Sequence, residues 1–226
     1  MKLKTRVDKD FFLAQDRRTR CMMLAQDNIA AVHARKLVAK VGDHVGIIDD
    51  LGDYDDARNG RLDWHEIQTR DDCGIDLPVT EVDLCHAIHD SAKACMVCVR
   101  GGLLMARIGY QHPVDEDCEK DQLSPHGNMN GRPVAISLSQ EDFDGEQAAL
   151  MECTFERSYE MNDYEASFSA RVSAANYGDA LPDEDTERFL AIMQNVVDNK
   201  GDFVIPEQYY EDCDESDEDD DESEED

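Results

Sequence analysis

Along the first forty residues, Met22, Ala25, Ile29 and Val32 recur at three- and four-residue steps, and no Gly or Pro interrupts the chain from Phe11 to Lys40. That spacing puts the apolar groups on one face of a helix. Residues 11–40 are therefore predicted as one long helix with a break near Arg17, capped by Asp8 or Asp10 and stopped by Gly42. A short apolar run between glycines, 45–48, reads as a strand. In residues 80–100, Leu84, Cys85, Ile88, Ala92, Cys95, Met96 and Val99 again follow helical spacing. With Thr80 and Asp83 as a start and Gly101-Gly102 as a stop, they predict the central core helix.

Beyond Gly102 the texture shifts to partial alternation. Residues 103–110, 134–138, 150–159 and 164–174 are predicted as strands of an antiparallel sheet, with Tyr164, Ala166, Phe168, Ala170 and Val172 on one side. Met161-Asn162-Asp163 is the predicted hairpin loop between the last two. Phe189, Leu190, Ile192, Met193, Val196 and Val197 return to helical spacing after Pro182, with Lys200-Gly201 as a stop, which predicts a helix lying on that sheet. The expected fold class is α+β: an N-terminal helical part with a core helix, a C-terminal antiparallel sheet with a packing helix, and a disordered acidic tail. The expected regions are 1–100, mainly helical; 101–206, β with its helix, continuing the same core; and 207–226, the tail.

Charge changes this picture more than composition does. The chain carries −31 in 226 residues, but not evenly. Residues 1–40 hold ten Lys or Arg against four Asp or Glu, residues 41–206 hold 35 acids against 12 bases, and residues 207–226 hold 14 acids and no base. The tail, ending EDCDESDEDDDESEED, lacks the apolar groups whose burial would offset the entropy of ordering it. Its carboxylates, Glu211, Asp212, Asp214, Glu215, Asp217, Glu218, Asp219, Asp220, Asp221 and Glu222, are the candidate partner-binding residues. Duplex DNA carries about one charge per 1.7 Å of axis, so crowded carboxylates compete for the same basic grooves. The expected function is accordingly that of a non-enzymatic acidic interaction protein with a basic, nucleic-acid-binding protein partner, in its sharpest form a DNA mimic that inhibits or regulates it.

Two alternatives use other residues. The bases Arg17, Arg18, Arg20, Arg35, Lys36 and Lys40 line one predicted helix and suit phosphate contacts, with the acidic tail regulating nucleic-acid binding. Residues 55–66 resemble the twelve-residue calcium loop of an EF-hand: Asp55, Asn59, Asp63 and Glu66 as side-chain ligands, Arg61 giving its carbonyl, Gly60 at the sharp turn. Ala57 offers no oxygen at the third position, and residues 45–54 contain two glycines where the motif has a helix. An Asn-Gly hairpin turn at Asn59-Gly60 is the competing reading. Calcium is thus the one cofactor with any support.

Cys85, His86, His89, Cys95 and Cys98 have the residue types of a zinc site. On one continuous helix a rise of about 1.5 Å per residue separates Cys85 from Cys95 by about 15 Å, too far for one metal. No Gly-rich phosphate cradle, nucleophile elbow or helical zinc motif is present, and no enzyme is expected. The turn-rich stretch 111–133 adds His126, Asn128 and Arg132 as further binding candidates. No run of uncharged apolar residues approaches the roughly 18 to 20 of a membrane helix, and residues 11–14 are too short for an export signal. The expected setting is the cytoplasm, with the eight cysteines reduced.

Overall fold

Thr5 starts the first helix by a reciprocal pair of bonds. Its hydroxyl accepts the Asp8 N–H at 3.3 Å while the Asp8 carboxylate accepts the Thr5 N–H at 2.8 Å, so α1 runs Arg6–Leu13. The computed structural model describes residues 3–42, 45–48, 50–61, 81–114, 142–160 and 165–210. The predicted break near Arg17 is present, with Asp16 accepting the Thr19 N–H at 3.0 Å to cap α2, Arg17–His33. The rest of the predicted helix is not. Arg35 turns left-handed at φ 58°, and Leu37–Ala39 leaves as a fully buried strand, β1.

Strand β2, Val45–Ile48, falls where expected. The chain then makes a 3-10 turn at Leu51–Asp53 and a short helix, α3, Tyr54–Arg58. Asn59 caps α3 and Gly60 follows at φ 70°, a helix end rather than the Asn-Gly hairpin.

Residues 80–100 correct the expected core helix. Helix α4, Glu81–His89, stops at Asp90, whose carboxylate accepts the Ala92 N–H at 2.8 Å. Ala94–Val97 then forms β3, the middle strand of a β1-β3-β2 sheet, parallel to β1 and antiparallel to β2. A strand buried on both sides is a continuous apolar run, and periodicity cannot separate such a run from a buried helix. The pleat divides two cores: Leu37, Ala39, Ile47, Cys95 and Val97 face the main one, while Val38, Ile48, Ala94 and Met96 face Tyr54 and Ala57 beneath α3.

Gly101 and Gly102 stop nothing. They lie in α5, Val99–Gln111, a helix buried on nearly every side. A methyl on Gly102 would stand 2.7 Å from the Phe189 ring and 3.2 Å from the Asn28 side-chain oxygen, so glycine here permits close approach. The strand expected over 103–110 is helical as well: Arg100, Arg107 and Gln111 recur at helical spacing along its one incompletely buried edge.

Among the described residues, the segments expected in the C-terminal antiparallel sheet are likewise helices. Residues 150–159 lie mostly in α6, Gly145–Glu156, and 165–174 lead into α7, Phe168–Asp179, capped by Ser167. These two helices meet at Gly178, where a methyl would be 2.1 Å from the Thr154 carbonyl oxygen. Ala166 is buried while Phe168 is 62% exposed, so the residues expected on one side of a strand do not share a face. Residues 134–138 and 161–164 lie outside the described residues.

Helix α8, Asp185–Asp198, matches its prediction, including the left-handed Lys200 and Gly201 at its end. It packs on α2 and touches the sheet through Thr186, whose hydroxyl donates to the Ala39 carbonyl at 3.3 Å. The class is α+β, with the sheet in the first half of the chain, and one apolar cluster runs from Phe12 to Ile205.

Candidate functional site

Seven of the ten bases in the N-terminal block, Lys4, Arg17, Arg18, Arg20, Arg35, Lys36 and Lys40, meet acceptors from the rest of the fold. Asp142 is the hub. Only 1% of its side chain is exposed, and its two carboxylate oxygens meet Arg20 Nε at 2.6 Å and Arg107 Nε at 2.8 Å. Its carbonyl accepts Arg17 Nε at 2.6 Å and the Cys21 thiol at 2.9 Å. The residue just ahead of α6 is thereby tied to α2 and α5. Both guanidinium groups also lie over the Phe12 ring, with Arg107 Cζ 5.2 Å and Arg20 Cζ 6.0 Å from its centroid.

Phe12 stacks on Tyr110 at 4.1 Å, and Lys4 Nζ sits 4.4 Å from the Tyr110 ring and 2.6 Å from Asp27. Burial, then the Asp27 carboxylate, pushes the Tyr110 phenol well above its usual range. The remaining sequence candidates follow suit. Arg17 pairs with Asp144 at 3.1 Å, Arg18 with Asp202, Arg35 with Asp55 at 3.0 Å, and Lys40 with Asp185 at 3.5 Å. Lys36 donates to the carbonyls of Asp90 and of Lys93, the latter at 2.6 Å, and desolvation holds its pKa below the ordinary lysine value. The six bases do not form one patch of unmatched charge, although Arg17, Arg18 and Arg35 are about half exposed.

A pocket of about 50 Å³ lies between Arg17, Arg18, Cys21, Gln147, Gly201 and Asp202. The caps and partners around it, Asp16, Asp144 and Asp202, offset its two arginines.

The EF-hand-like segment is only half visible. Asp55 and Asn59 stand one turn apart, the Asn59 amide donating to the Asp55 carbonyl at 2.6 Å. Asp55 is engaged by Arg35, and Arg61 by Asp56 at 3.2 Å. Asp63 and Glu66 lie outside the described residues. Among the described residues no group of three or more His, Cys, Asp or Glu is arranged to hold a metal ion. Cys85, Cys95 and Cys98 are buried free thiols, and His89 Nε2 contacts the His112 carbonyl at 3.2 Å. Cys98 caps α5, its sulfur accepting the Gly101 N–H at 3.4 Å. A helix N-terminus ordinarily lowers a thiol pKa, but burial, with Glu152 nearby, pushes Cys98 up to about 12. Cys95 and Cys21 are pushed up to about 12 by burial as well. These thiols are packing groups, not poised nucleophiles. Sequence reasoning missed the Asp142 hub, because Asp142 is one of four acids between positions 141 and 146 and nothing local singles it out.

The acidic charge is concentrated elsewhere. Described residues hold 26 Asp or Glu against 18 Lys or Arg, or −8 of the −31. Residues 211–226, with thirteen acids and no base, lie outside the described residues, as do His126, Asn128 and Arg132. Among the described residues no helix is long and apolar enough to cross a membrane. No protein-family model, curated protein or solved structure matches the chain.

Proposed function

We propose that the chain is a non-enzymatic acidic interaction protein acting inside the cell, which offers residues 211–226 to a basic protein that otherwise binds nucleic acid. The observation carrying this reading is the pairing of the cationic block: Lys4, Arg17, Arg18, Arg20, Arg35 and Lys40 each already contact a carboxylate of the fold. The intramolecular target that would absorb an acidic tail is thus largely neutralised, which directs the tail's thirteen carboxylates outward. Fully extended, sixteen residues reach roughly 55 Å, about one charge per 4 Å, close to the 3.4 Å spacing along one DNA strand.

The experiment is capture of a basic nucleic-acid-binding protein by the full chain, at low and then rising salt, with duplex DNA as competitor. Binding is expected to fall linearly in log–log form as salt rises and to be displaced by DNA. Capture insensitive to both overturns the reading. A second reading, in which α2 contacts phosphate under control of the tail, rests on the half-exposed Arg17, Arg18 and Arg35; their pairs are solvent-exposed and exchange at a cost of about 1 kcal/mol or less each.

A further inference from the structure

We draw no further inference here: the strongest candidate, the small cavity between the N-termini of α2 and α6 beside Arg17, Arg18 and Gln147, rests on two helix ends and on arginines that Asp144 and Asp202 already hold, and no residue lining it leaves a buried side-chain nitrogen or oxygen without a partner.

Discussion

At Cys95 and Cys98, burial decides chemistry that residue type alone leaves open. A Cys-x-x-Cys spacing next to a helix start invites a redox or metal reading, yet both thiols are held up to about 12 by desolvation. In an unfolded chain a thiol ionises near 9.0. The stabilisation from keeping these groups neutral is therefore fully present below pH 9 and is lost as pH rises toward 12, where the unfolded state has released protons that the folded state retains. Cys21, Tyr54 and Tyr110 are shifted upward too and act in the same direction. Thermal melts at pH 7, 8, 9, 10 and 11 are expected to show a flat melting temperature up to about pH 9 and a steepening fall above it. A melting temperature unchanged at pH 11 would show that water reaches these groups.

Among elements, legibility followed how each one meets solvent. Helix α8 was read correctly because it keeps a polar face, with Phe189, Ile192, Met193 and Val196 inward and Gln194 and Asp198 outward. Strand β2 was read from its flanking glycines. Strand β3 is buried on both faces and shows no period of its own geometry, whereas α5 carries a helical period in Arg100, Arg107 and Gln111 that a strand reading passes over. Helix α6 is buried at every position over 148–155, and α7 turns only the small Ser173, Ala174, Ala175 and Gly178 to its buried side, so neither shows a bulky apolar stripe. The Asp142 hub was illegible because its partners, Arg20 and Arg107, are 122 and 35 positions away. That hub ties three elements, and its removal tests the arrangement. Asp142→Asn leaves two guanidinium groups, 22% and 11% exposed, without their shared counter-charge. Breaking a buried pair from one side costs about 3–5 kcal/mol, and the partial exposure of Arg20 sets the expectation near the lower end. Asp144→Asn, by contrast, breaks only the exposed pair with Arg17 and leaves a competent helix cap, so its cost is expected below about 1 kcal/mol. Urea unfolding at neutral pH compares them, and equal midpoints for the two variants would count against a buried hub.

On the scale of the whole molecule, the question is whether the acidic tail works on its own chain or on another. Like charges in one chain repel, and removing residues 211–226 lowers the formal charge from −31 to −18. If the tail faces outward, its removal relieves self-repulsion and takes away no stabilising contact. The truncated chain is then expected to melt at the same temperature as the full one or slightly higher at low salt, and to lose affinity for the basic partner. If the tail instead covers Arg17, Arg18 and Arg35, truncation uncovers them. Melting then shifts downward, and affinity for duplex DNA rises with a salt slope that counts the freed phosphate contacts. Only the second outcome lowers the melting temperature and uncovers phosphate contacts, so a melt and a DNA titration on the same pair of proteins separate them. The pairing of the cationic block with Asp55, Asp142, Asp144, Asp185 and Asp202 favours the first. Five fold-borne carboxylates already hold those bases at short range, and a tail must displace them before it gains anything there.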